Sequence, residues 1–199
     1  METIESINTE LFLLLNGSHY KYLDTIMFYA SDKLFWIPFY LILFLLIIRL
    51  FKIKCFKVFI AIASLITLCD QTSGFFKHAM KQLRPSHEPT LENLIYLSQA
   101  GPGGQYGFVS AHAANSFGLA TFLFLLLPKK YNWLKGMMLL WAVLVSYSRV
   151  YNGVHYPSDV IFGIITGVFY GTLIYFFLSK IKLTSRYRVK YPRTEMAFE

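Results

Sequence analysis

The sequence predicts an all-α, polytopic transmembrane helix bundle, and three observations carry that prediction. Of 199 residues, 55% are hydrophobic and only 15% charged, against about 25% charged in an ordinary soluble domain. Mean hydropathy is +0.46. The apolar residues are gathered into long runs, and the basic residues behind a net charge of +8 fall mainly between them. The 19 Phe and 14 Tyr rule out a disordered chain, and two cysteines are too few for a disulfide scaffold. The same arrangement argues against a basic nucleic-acid binder, so no nucleic-acid partner is expected.

Residues 1–33 form an N-terminal amphipathic segment. Leu11–Leu15 is too short to cross a bilayer, and Asn16-Gly17 reads as a turn. One or two helices lying in the membrane interface are expected over residues 4–30. A sixth, irregular crossing there is the alternative. Five spans follow in residues 34–179: Leu34–Ile48, Val58–Phe76, Ala113–Leu127, Tyr131–Tyr147 and Val160–Leu178. They approach the roughly 20 residues that cross the hydrocarbon core as helix and lack the period-2 alternation of barrel strands. Cys55 and Cys69, 14 residues apart on one helix, lie too far from each other to bridge. Residues 180–199 form a basic tail.

Charge sets the orientation. Arg49, Lys52, Lys54 and Lys57 fill the first link, Lys129, Lys130 and Lys135 surround the third, and Lys180, Lys182, Arg186, Arg188, Lys190 and Arg193 follow the last span. These 13 of the 19 basic residues mark the cytoplasmic side by the positive-inside rule. The N-terminus and the Lys77–Ala111 and Ser146–Asp159 links then face outward. The acidic start shows no secretory signal.

Lys77, Lys81, Arg84 and Arg149 are left on the outer side, in three segments that end at one surface. Helical spacing points the same way. Ala63, Thr67, Asp70, Gly74 and Lys77 make one small and polar stripe, His112, Ser116 and Ala120 a second, and Asp159, Gly163, Gly167 and Gly171 a third. Each stripe should face the bundle interior. Their ends carry what phosphate-ester cleavage demands. Lys77, Arg84 and Arg149 can neutralise phosphate. Ser110 sits where a helix would begin, with backbone N–H groups beside it. His155 and His112 suit nucleophile and general acid, and Asp159 can orient the imidazole. Asp70 is expected to support this network and Lys81 to assist a phosphorylated headgroup. Gly101–Gly107 fails the dinucleotide spacing and follows no strand; a mobile loop that gates headgroup entry is the expectation.

These residues resemble the type 2 phosphatidic acid phosphatase family, which shares its site with vanadium haloperoxidases. The pattern Lys-x6-Arg-Pro is intact as Lys77…Arg84-Pro85, and Ser-Arg-x5-His-x3-Asp is intact as Ser148-Arg149…His155…Asp159. The middle part, Pro-Ser-Gly-His, departs: Val109 stands for its Pro and Ala111 for its Gly. Ala111 can still donate its N–H unless the local φ is positive. The resemblance implies a haloperoxidase-like helical core and metal-independent hydrolysis through a phosphohistidine on His155. It implies Asp159 as that histidine's partner and His112 as the acid. Lys77, Arg84, Ser110, Ala111 and Arg149 would bind the phosphoryl group.

The run Tyr106–Phe117 is similar to the lipid A 4′-phosphatases of Gram-negative envelopes, which implies lipid A as the substrate. Undecaprenyl-diphosphate or phosphatidic acid/phosphatidylglycerophosphate phosphatases are alternatives, and a non-catalytic phospholipid binder or transporter is one of another class. The expected setting is the bacterial inner membrane, with the site facing the periplasm and the C-terminus cytoplasmic. The expected partners are a membrane lipid substrate and the bilayer, with no cofactor, no metal and no obligate protein partner.

Overall fold

The computed structural model describes residues 2–181, and they form seven helices: α1 (Glu2–Asn16), α2 (Lys21–Ser31), α3 (Ile37–Phe51), α4 (Cys55–Met80), α5 (Ala111–Leu126), α6 (Asn132–Tyr151) and α7 (Pro157–Lys180). No strand occurs among the described residues, only an isolated bridge between Leu83 and Tyr106. Each of the five apolar runs is a helix. The basic tail from Lys182 onward lies outside the described residues.

Local chemistry sets the helix limits. α3 starts at Ile37 rather than Leu34 because Pro38 occupies its first turn. Residues 32–36 instead make a turn in which Leu34 N–H donates to Asp32 Oδ1 at 3.0 Å and Trp36 Nε1 to the Ala30 carbonyl at 2.9 Å. α4 ends where Lys81 turns left-handed, at φ +50°. α7 opens with Pro157 at its first position, and Asp159 takes the Tyr156 N–H at 3.0 Å, half of a capping box.

The bundle is built on α5 against α7. A Cβ on Gly163 would lie 2.6 Å from the Ser110 carbonyl oxygen, and one on Gly171 2.6 Å from that of Gly118. One on Gly167 would run into the Ala114 carbonyl oxygen. The two backbones therefore touch with no side chain between them, the small-residue contact of membrane helices. Ser116 and Ala120 are buried, as their stripe predicts. The α4 stripe is different. Val58, Ala61, Leu65, Cys69 and Ser73 form its packed face, whereas Ala63, Thr67 and Asp70 are exposed and a Cβ on Gly74 would meet nothing. That face is turned towards α5, where Cys69 Sγ donates to the Ala114 carbonyl at 3.7 Å; residue size does not decide it, since Ile60 and Phe75 are exposed. Cys55 and Cys69 are both buried and free.

The mid-bundle core joins Leu43, Leu65, Phe122, Leu123, Met138 and Trp141. A second cluster, around Phe12, Ala113, Val150, Tyr156 and Val160, closes the end that holds the motifs. α1 and α2 belong to that end, packing on α6, with α1 also against α7. Asn16 is fully buried. Its amide donates to the carbonyls of Tyr96 (2.9 Å) and Tyr151 (2.8 Å) and accepts the Tyr96 N–H at 2.7 Å.

The outside is apolar. Ile42, Ile60, Leu140, Phe162, Ile165 and Phe169 are each at least half exposed, far beyond what a soluble monomer leaves uncovered. Among the described residues, α7 is the one helix long and apolar enough to cross a membrane by length and composition, and α5 is a shorter apolar helix.

Candidate active site

Four helix ends meet at one end of the bundle: the C-termini of α4 and α6, and the N-termini of α5 and α7. The long α4–α5 connection is stitched back on itself, Arg84 N–H to Gln105 O at 3.0 Å and Gly107 N–H to Gln82 O at 2.9 Å. The glycine-rich segment expected to gate the site is thus pinned to the first motif. Gly107 lies between Arg84 and Asp159, where a Cβ would fall 2.8 Å from Asp159 Oδ2.

His155 and Asp159 are almost wholly buried, at 1% and 0% exposure. His155 Nδ1 is 3.2 Å from Asp159 Oδ2. That oxygen already accepts the Tyr156 N–H, so it acts as an acceptor and Nδ1 carries the proton. The lone pair is left on Nε2. Burial holds the His155 imidazole well below its usual pKa, and the positive charges of Arg84, Arg149 and Lys77 push the same way. A neutral, tautomer-locked imidazole is the form a nucleophile needs.

The cations surround this pair. Arg84, 8% exposed, is held by its Nε on the Tyr106 carbonyl (3.1 Å) and its Nη1 on the Val154 carbonyl (3.3 Å). Two loops distant in sequence thereby fix one guanidinium. Arg149 donates from Nη1 to Ser31 Oγ, while its Nε is buried without a partner. Lys77 is half-buried on the last turn of α4.

Ser110 is the residue before α5, yet its hydroxyl makes no cap bond; Oγ is buried and unpartnered. A buried polar atom left unpaired costs about 1–3 kcal/mol, and Ser110 Oγ and Arg149 Nε are both in that position. Ala111 is the first residue of α5, with φ outside the positive range. Its N–H is one of the free donors of a helix N-terminus. The Ala-for-Gly departure therefore costs no backbone strain.

His112 and Arg149 line a cavity of about 590 Å³ together with Ser31, Lys33 and Ala100. Asp70 does not reach this cavity and pairs with Asn115 instead. Lys81, just past the end of α4, is exposed and does not line this cavity, and neither do Lys77, Arg84, Ser110 and His155. Ser31 and Lys33 are additions that sequence reasoning missed. They come from the α2–α3 corner, and no motif flags them. Among the described residues, no group of three or more His, Cys, Asp or Glu could hold a metal ion.

Residues 55–182 match the model of the PAP2 superfamily. The chain belongs to the PAP2 superfamily. By that membership and by its relatives it is a phosphatase. A lipid A 4′-phosphatase of Bacteroides thetaiotaomicron is 40% identical over 186 residues, covering 91% of this chain and 81% of that one. An undecaprenyl-diphosphatase of Sulfolobus acidocaldarius is 37% identical over 164 residues, 80% and 73% of the two chains. The solved structure of Aquifex aeolicus LpxE superposes with a TM-score of 0.66 at 29% identity, covering 84% of this chain and 94% of that one. The PAP2 match begins at α4, so α1 to α3 stand outside it.

Proposed function

We propose that this PAP2 protein is a membrane lipid phosphatase acting on lipid A, through a phosphohistidine on His155. The observation that carries the chemistry is the His155–Asp159 pair at 3.2 Å within a ring of cations. The 40% identity to a lipid A 4′-phosphatase supports the substrate.

In this reading Lys77, Arg84 and Arg149 neutralise the phosphoryl oxygens, and Ser110 Oγ and the Ala111 N–H complete the cradle. Phosphoryl transfer spreads charge over three equatorial oxygens, so positioned donors supply most of the catalysis. His155 Nε2 attacks phosphorus as the P–O bond to the lipid breaks. His112 gives a proton to the departing oxygen. It then takes one from a water that cleaves the P–N bond, releasing phosphate and restoring His155. Asp159 holds the Nδ1 proton throughout. Metal-independent turnover follows because cationic side chains stand where a metal would neutralise charge.

The same reading puts α3 to α7 across the membrane as five spans in residues 34–179, with residues 1–33 at the outer interface and the 180–199 tail on the cytoplasmic side. The site then faces the periplasm of a bacterial inner membrane. The exposed apolar faces and the basic links support this arrangement.

The test is phosphate release from purified protein with lipid A in mixed micelles without added metal. His155→Ala should abolish release. Hydrolysis of undecaprenyl diphosphate with none of lipid A would move the substrate to the alternative, and tight lipid binding without turnover would remove the enzymatic reading.

A further inference from the structure

Beside the cavity that His112 and Arg149 line is a second one, of about 400 Å³, between α3, α4, α5 and α6. Its wall is mostly apolar, with Leu43, Ile47, Ile62 and Leu123 among the lining residues. Lys33 and His112 line both cavities, so the second continues directly from the first. If the phosphate of a lipid sits against Arg149 at the first cavity, which rests on the function proposed above, the second takes an acyl chain of the same molecule.

Besides Lys33, Tyr40, His112 and Ser116, one hydrogen-bonded polar pair interrupts this wall. Asp70 on α4 and Asn115 on α5 both line it, and Asn115 Nδ2 donates to Asp70 Oδ1 at 2.8 Å. Among the described residues Asp70 makes no ion pair within 4.0 Å. Asn115 Oδ1 is buried and has no hydrogen-bond partner. The two oxygens left over, Asp70 Oδ2 and Asn115 Oδ1, are both acceptors. Asn115 Oδ1 is already shut off from water, and a plain hydrocarbon chain in the cleft would strip the exposed Asp70 Oδ2 of its water and give nothing back. A ligand that carries a donor would satisfy Asp70 Oδ2. Asn115 follows His112 by three residues, about 4.5 Å along the helix axis. The donor must therefore sit within the first few atoms of the chain, close to the headgroup.

We propose that Asp70 and Asn115 form a specificity-determining site that recognises a hydroxyl on the substrate's acyl chain near the headgroup. The pair touches the chain and takes no part in phosphoryl transfer. It separates hydroxyacyl lipids from plain acyl lipids bearing the same phosphate, because a site built of unpaired acceptors penalises an analogue that lacks the donor.

The test uses two synthetic lipid phosphates that differ only in a hydroxyl on the third carbon of one acyl chain, in mixed micelles. Wild-type protein should turn over the hydroxylated lipid with a kcat/KM about tenfold higher, the worth of one hydrogen bond to a charged group. Asp70→Asn and Asn115→Leu should each bring the ratio towards one, chiefly by raising KM for the hydroxylated lipid. Equal kcat/KM for the two lipids with wild-type protein overturns the inference while leaving the phosphatase reading intact. So does an equal loss on both lipids in the two variants. Release of phosphate from neither lipid overturns the inference, and release from lipid A in the same micelles then leaves the proposed function standing.

Discussion

Gly107 and Asp159 approach so closely that a Cβ on the glycine would sit 2.8 Å from the carboxylate Oδ2, with Arg84 Cγ at 3.3 Å on the same side. A methyl group there must displace the oxygen that orients His155, the aliphatic stem of Arg84, or both. Gly107→Ala should lower kcat by about 10- to 100-fold, because a shift near 1 Å in a positioned group costs on that order. Steady-state kinetics would show it. Undiminished kcat would mean that Asp159 has slack that this close packing denies.

The Ala111 backbone can be tested without disturbing its helix. Ala111 is the first residue of α5, where proline is tolerated, and Ser110 before it is already extended, at φ −72° and ψ 107°. Ala111→Pro should keep the fold and remove one N–H from the proposed phosphate cradle, with a loss of about 10²-fold or more in kcat. Ala111→Gly should keep kcat within about twofold. Circular dichroism alongside the kinetics separates a lost donor from a lost helix.

Gly167→Ala places a methyl group against the Ala114 carbonyl, where backbone rather than a flexible side chain must yield. Overpacking of this kind costs about 1–3 kcal/mol. Thermal unfolding in detergent should show a lowered Tm. The same change at Gly74, with open space around it, should leave Tm unchanged or raise it.

The pH profile follows from the His155 environment. Burial and three cations hold its imidazole well below the ordinary histidine pKa. The neutral imidazole, which the proposed mechanism uses as nucleophile, therefore persists as pH falls through 6.5 and is lost only when pH drops below the depressed value. The acid limb of kcat/KM, which reports the free enzyme, should lie below pH 6.5. An acid limb centred above 6.5 would contradict the buried, cation-ringed imidazole.

Asn16→Ala removes the amide that joins α1 to the Tyr96 and Tyr151 backbone. Leaving those groups unpaired costs about 1–3 kcal/mol. A lowered Tm is expected, with the α6–α7 turn that carries His155 becoming more open to amide hydrogen exchange.

The five apolar runs and the α7 glycines were legible because each follows a one-dimensional rule, a run length or a spacing of four. Lys77, Arg84, Ser110, Arg149, His155 and Asp159 were legible because residue types and intervals survive in the primary structure. Ser31 and Lys33 were not, since their place beside Arg149 and His112 depends on how α2 folds back on α6. The α4 stripe misled for a related reason. Small residues mark a contact only where a partner backbone comes close, and Ala61, Leu65 and Cys69 occupy that side of α4. The Asp70–Asn115 pair joins residues 45 apart, a distance no local pattern spans.

The bare contact between α5 and α7 has a consequence for how this enzyme can diverge. One helix begins just after Ser110 and carries His112; the other begins two residues after His155 and carries Asp159. Their separation is fixed by main chain resting on main chain, so exchanging side chains elsewhere leaves His112 and Asp159 at the same spacing. The α2–α3 corner and the α3 wall carry no such constraint. New lipid preferences can therefore arise there by ordinary point substitution while the reaction geometry stays locked.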